Sequence, residues 1–132
     1  MDPDRLKALP LFANLDDAER ADVAACAREL AVSAGTTLTT EGEHAYELFV
    51  IERGEAEVRK GGEVIRPLGP GDAFGEIGLL ATGTRTATIV ATTPMRLVAI
   101  FSREFKQLEA RMPQIAEDLR ASMRERVART SF

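Results

Sequence analysis

The chain has 132 residues, 45% of them hydrophobic and 29% charged, a balance that suits one globular domain with a single core. Its formal net charge of −4 and sequence pI near 5.1 leave no basic surface for holding nucleic acid without sequence preference. With Cys26 the only cysteine and His44 the only histidine, an internal disulfide and a multi-histidine metal centre are both excluded, and no apolar run approaches the roughly 18 residues of a membrane-spanning helix.

Met1-Asp2-Pro3-Asp4 has neither the basic start nor the apolar core of a signal peptide, so a cytoplasmic setting is expected. Leu6, Leu9, Leu11 and Phe12 form an apolar opening broken by Pro10, which reads as a helical turn that packs against a neighbour. Asn14 and Asp16 then offer caps. Asp16-Asp17-Ala18-Glu19 resembles a capping box, and Val23, Ala27 and Leu30 at i, i+4 and i+7 predict a helix over 16–30, with Cys26 as a small residue near its packed side.

From Ala31 the texture changes to short β-like pieces punctuated by Gly35, Gly42, Gly54, Gly61-Gly62 and Gly69-Pro70-Gly71, the spacing of a sandwich or barrel. Leu48 to Ile51 is apolar without alternation, as in a strand buried on both faces, whereas Glu55 to Arg59 alternates and predicts one wet face. Gly61-Gly62 reads as a hairpin turn, Thr86 to Ala91 and Leu97 to Phe101 as the last two strands, and Thr93-Pro94 as the turn between them. Ser102 is a candidate cap for a helix through Lys106-Gln107-Leu108, and Pro113 suits the first turn of another helix running to about Arg129. On that last helix Ile115, Ala116, Leu119, Met123 and Val127 share one face with Arg126, while Arg124 points the opposite way.

The stretch that carries the chemistry lies between Gly71 and Ala91. Gly71, Gly75, Gly78 and Gly83 suit sharp turns or the close approach of a ligand, and the segment between them reads as a loop with a short helical turn. A helix start exposes N–H groups that favour an anion, and Arg85 follows at the head of the β-branched run, so phosphate binding is the use this pattern suits. A loop ion pair between Glu76 and Arg85 is the plain alternative, but it would contribute only about 0–1 kcal/mol on a surface and would not require the glycines. No nucleophile–base pair is visible, and an oxygenase-type metal site would need the histidine cluster that is missing. The lone His44 reads as a solvated loop residue, and Glu41 and Glu43 as turn residues.

Phe74-Gly75-Glu76-Ile77-Gly78-Leu79-Leu80 and Arg85-Thr86-Ala87-Thr88-Ile89 resemble, in order, the phosphate-binding cassette of the cyclic nucleotide-binding domains found in bacterial transcription regulators, kinases and gated channels. Similarity extends to Glu41-Gly42-Glu43 and to Phe49 through Gly54, with Tyr46 standing where the family usually has aspartate. The resemblance implies an α+β domain over residues 1–132. It would hold N-terminal helices in 2–30, an eight-stranded antiparallel jelly-roll-like β-roll in 31–101 with the cassette at 74–88, and C-terminal lid helices in 102–130. It implies that Arg85 pairs with the cyclic phosphate and Glu76 accepts from the ribose 2′-hydroxyl, with Gly75, Gly78 and Thr86 lining the site through their backbones and Phe74, Ile77, Ala87 and Val58 completing it. Arg126 either snorkels to water or, as the resemblance suggests, caps the base when the last helix closes.

The reading that follows is a non-catalytic sensor of cyclic AMP or cyclic GMP, with cyclic AMP favoured by the likeness to bacterial members and with no metal. Ligand binding would move the C-terminal helix and act on an effector that is a separate protein, a second copy or another part of a longer chain. No nucleic acid or membrane partner is expected. A protein-interaction module of the same fold that has lost the nucleotide is the alternative.

Overall fold

The computed structural model describes residues 1–75 and 84–129, with side chains as far as Glu125. The chain opens with α1 (Pro3–Lys7), capped by the Asp2 carboxylate on the Asp4 N–H, and a 3-10 turn (Pro10–Phe12) that Pro10 starts. Leu6, Leu9, Leu11 and Phe12 are all buried, as the apolar opening requires. Helix α2 (Asp17–Cys26) begins at the expected capping box, with Asp16 Oδ1 accepting from the Glu19 N–H at 2.8 Å and the Glu19 carboxylate accepting from the Asp16 N–H at 2.9 Å.

The helix expected over 16–30 stops at Cys26, because Ala27 turns to extended backbone and the next residues enter a sheet as β1 (Arg28–Val32). Leu30, taken for the last apolar position of a helix, alternates with Val32 on a strand, and both pack on the inter-sheet core. Pairing of β1 over its whole length with the strand Met95–Phe101 outweighs a local helical pattern that one apolar residue had extended.

Seven further strands follow: β2 (Thr37–Thr39), β3 (Glu47–Arg53), β4 (Ala56–Lys60), β5 (Glu63–Leu68), β6 (Ala73–Phe74), β7 (Thr88–Ala91) and β8 (Met95–Phe101). Among the described residues they form two four-stranded antiparallel sheets, ordered β1-β8-β3-β6 and β2-β7-β4-β5, which face each other as a β-roll. The predicted two-faced burial of Leu48 to Ile51 is present, and the Gly61-Gly62 hairpin joins β4 to β5 with Lys60 opposite Glu63. The strand expected from Thr86 starts at Thr88, since Arg85 pairs instead with the loop before β3 through its own N–H and carbonyl.

Helix α3 (Ser102–Arg111) follows β8 without a side-chain cap. Ser102 is its first helical residue and Phe101 takes the cap position, because the Ser102 N–H is already bound to the Tyr46 carbonyl at 2.7 Å. Helix α4 (Pro113–Arg129) starts at Pro113 as expected. Ile115, Ala116, Leu119 and Met123 are buried and Arg124 is exposed, so the predicted stripe is the packed face; the Val127 and Arg126 side chains lie outside the described residues.

Two cores result, one on each face of the β1-β8-β3-β6 sheet. On its outer face Leu48, Val50, Val98 and Ile100 pack with α1, the 3-10 turn, α2, α3 and the α4 stripe. On its inner face Phe49, Ile51, Leu97 and Ala99 meet Val58, Leu68, Ala87 and Ile89 from the other sheet. Strand β3 therefore touches the helices with its even-numbered residues and the roll interior with its odd-numbered ones.

Candidate functional site

Arg85 stands at the centre of the site. Its chain position is set from both sides by backbone bonds to the loop after β2: the Arg85 N–H donates to the Glu43 carbonyl at 2.7 Å, and the Gly42 N–H donates to the Arg85 carbonyl at 2.9 Å. An isolated antiparallel bridge between His44 and Thr84 continues this pairing. The side chain turns inward and is buried, with its Nη2 donating to the Glu47 backbone carbonyl at 2.9 Å and to Glu47 Oε1 at 3.0 Å. Its guanidinium carbon lies 5.9 Å from the centre of the Phe49 ring, within cation–π range, and Phe49 stacks on Phe74 with ring centres 5.1 Å apart. A cation is thus held in the mouth of the roll, on an aromatic floor.

Gly75 is what lets it sit there. Its φ of +84° is a conformation that side-chain-bearing residues rarely adopt, and a Cβ would fall 2.3 Å from Arg85 Nη1 and 2.7 Å from the Glu47 carbonyl oxygen. The glycine that opens the cassette and the arginine that closes it touch across the cavity wall. Phe74, immediately before it, is fully buried in β6 opposite Phe49.

Of the other residues named from sequence, Val58 is buried on β4 facing the roll interior with Ala87. The Ala87 carbonyl accepts from the buried Thr39 hydroxyl at 3.1 Å, and Thr86 lies exposed in the bend between Arg85 and β7. Glu76, Ile77 and Gly78, like the expected short helical turn that follows them, lie outside the described residues. Glu43 closes a turn on the Thr40 carbonyl, and Glu41 accepts from the Gly61 N–H, as turn and loop residues do. His44 is exposed, with its ring 5.2 Å from that of Tyr46, itself 58% exposed. A cleft of about 360 Å³ runs along Thr39, Thr40, His44, Tyr46, Glu47 and Arg85.

Sequence reasoning missed Glu47. Tyr46 stands where the family usually has aspartate, and the residue beside it, Glu47, supplies the carboxylate on Arg85. The available signal was alternation: Glu47 is two residues before Phe49 and four before Ile51, so it faces the same interior as both.

Elsewhere the ionic contacts tie elements together. Arg5 of α1 binds Glu52 of β3, with its Nε donating to Oε2 at 2.8 Å, and also bridges to Glu29 of β1. That bond from Arg5 holds the Glu52 carboxyl below the usual glutamate range despite the opposing effect of burial. Burial pushes the Cys26 thiol up, and its Sγ donates to the Val23 carbonyl at 3.2 Å, so this cysteine is a packing residue, as expected. Among the described residues no helix is long and apolar enough to cross a membrane.

A family profile described as "Cyclic nucleotide-binding domain" matches residues 29–111, from β1 to the end of α3. The chain belongs to the cyclic nucleotide-binding domain family. The chain is 37% identical over 105 residues to a "cAMP-dependent protein kinase regulatory subunit" of Yarrowia lipolytica, which covers 78% of the chain and 28% of that protein. It is also 32% identical over 119 residues to "Cyclic nucleotide-gated potassium channel RHE_CH03180" of Rhizobium etli, covering 90% of the chain and 33% of the channel. The chain therefore spans about a third or less of the length of these curated relatives. Among solved structures it superposes on the N-terminal domain of a transcriptional regulator from Streptomyces coelicolor A3(2) with a TM-score of 0.81 at 29% identity, covering 96% of this chain and 94% of that one. The Thermus thermophilus catabolite activator protein gives a TM-score of 0.77 at 29% identity, over 91% of this chain and 59% of that one. The eight-stranded roll with N-terminal and C-terminal helices is the fold these solved structures share with this chain.

Proposed function

We propose that this domain is a cytoplasmic, non-catalytic sensor of cyclic AMP that reports binding through its C-terminal helices. The observation that carries the proposal is the buried guanidinium of Arg85, shaped on one side by Gly75 and floored by Phe49. A cyclic phosphate carries a single charge and two free oxygens, which suit the planar fork of an arginine in a partly desolvated mouth. In this reading Glu76 selects the ribose 2′-hydroxyl, and the backbone around Gly75, Gly78 and Thr86 supplies further donors. Val58, Ala87 and Phe74 give the nucleoside an apolar wall, and Ile77 completes the cassette. Cyclic AMP is favoured over cyclic GMP by the kinship with a cAMP-dependent kinase regulatory subunit.

Coupling to the helices has a physical route in β3. Phe49 stands beside Arg85, and its neighbours Leu48 and Val50 pack in the helical core together with Ile115, Leu119 and Met123 of α4. A ligand that shifts the mouth of the roll therefore acts on the sheet face that α3 and α4 rest upon, and the helices pass the change to an effector protein or domain. The α4 stripe is already packed against the N-terminal elements, so closure over a nucleotide exchanges one apolar contact for another, with Arg126 reaching the base. Hydrogen exchange across residues 113–125 tests this directly: saturating cyclic AMP should change protection there, and an unchanged pattern with bound nucleotide would overturn the helix coupling. Arg126→Ala should weaken binding by about 1 kcal/mol through a lost cation–π contact, with Arg124→Ala as the silent control.

A further inference from the structure

We propose that Glu47 is a built-in counter-ion that sets how tightly Arg85 takes an anionic ligand. This rests on the reading of Arg85 as the phosphate ligand, and it adds a residue that holds back affinity. The geometry separates two jobs that one residue performs. The Glu47 backbone carbonyl, fixed in β3, accepts from Arg85 Nη2 at 2.9 Å and positions the guanidinium. The Glu47 carboxylate accepts from the same nitrogen at 3.0 Å and adds a negative charge at the site. The arginine side chain is 5% exposed and the glutamate 20%, so the pair is poorly screened by water.

An incoming phosphate meets a cation that a carboxylate already compensates, and it must also approach that carboxylate. Both effects oppose binding. They leave the chain with a buried guanidinium that needs no ligand to be charge-balanced, which is the state a sensor must occupy when nucleotide is scarce. Because the positioning bond comes from the backbone, removing the charge leaves the arginine where it is.

The test is titration calorimetry of the wild-type chain, Glu47→Gln and Arg85→Ala with cyclic AMP. Glu47→Gln keeps the shape and the acceptor oxygen but not the charge, and it should lower Kd about 2- to 5-fold, the span of a partly screened charge pair. A damaged fold loses affinity, so a gain is an outcome that a merely structural role does not give. Equal or weaker binding by Glu47→Gln overturns the proposal. If wild-type protein and Glu47→Gln both ignore cyclic AMP and cyclic GMP, the functional reading fails first, and inorganic phosphate becomes the probe. Phosphate should then raise the Tm of Glu47→Gln more than that of wild type, and equal shifts overturn the counter-ion role independently of any nucleotide.

Discussion

Gly75→Ala perturbs the site at its tightest point. The added methyl would fall 2.3 Å from Arg85 Nη1, more than about 1 Å inside ordinary contact, and 2.7 Å from the Glu47 carbonyl oxygen. The carbonyl belongs to β3, where Glu47 is held in register opposite Phe101 of β8, so the guanidinium at the end of its side chain is the part that moves and gives up its bonds to Glu47. Two costs follow. Left-handed backbone in alanine costs roughly 1–2 kcal/mol, and a displaced, buried, charged hydrogen bond adds about 1.5–3 kcal/mol. We expect a loss of about 2–5 kcal/mol in urea denaturation, together with at least a roughly 30-fold rise in Kd for cyclic AMP. Gly35→Ala separates the two costs, since Gly35 has a φ of +88° but nothing within 4 Å of where a Cβ would stand. It should pay for backbone strain alone and bind nucleotide like wild type. If Gly75→Ala matches Gly35→Ala in both stability and affinity, the contact between cassette glycine and arginine has no energetic consequence and Gly75 does not shape the arginine's position.

Other expectations follow from the same contacts. Leu119→Ala, which empties a fully buried position between α4 and the N-terminal elements, should destabilise the chain by about 2–5 kcal/mol in the same urea assay. Loss of less than about 1 kcal/mol would mean that the stripe is not packed as described. The Glu52 carboxyl is held low by Arg5, so its contribution is present above the unfolded-state value of about 4.3 and is lost as the pH falls through the lower folded value. Glu52→Gln should therefore flatten the fall in stability below about pH 4.3, followed by thermal melts at stepped pH, and an unchanged slope would contradict the pairing. If Glu76 serves the ribose, 2′-deoxy cyclic AMP should bind about 1.5–3 kcal/mol more weakly than cyclic AMP, and Glu76→Gln should narrow that gap; equal affinities would remove this role.

The parts of the architecture that are local in origin were readable from the residues alone. The capping box at Asp16, the unbroken apolar run of β3, the Gly61-Gly62 hairpin and the Pro113 helix start each declare themselves within a few residues. What escaped depends on partners distant in the chain. The end of α2 at Cys26 is decided by β8, some seventy residues later, which recruits Arg28 to Val32 into a sheet. Ser102 looks like a cap, but its N–H is taken by Tyr46. At the site, Arg85 and Gly75 were legible because the cassette is contiguous, whereas Glu47 reaches Arg85 across 38 positions and is marked only by its inward parity with Phe49.

Binding of a cyclic phosphate by Arg85 in the mouth of the roll is measured most closely by a calorimetric titration of wild-type chain and Arg85→Ala with cyclic AMP and cyclic GMP. Truncating one member of a buried charged contact costs about 2–5 kcal/mol, so wild type should bind saturably, more tightly with cyclic AMP, and Arg85→Ala should show a roughly 30-fold or greater rise in Kd with its fold intact by circular dichroism. No heat of binding from wild type with either nucleotide, or near-equal affinity in the folded variant, would contradict it.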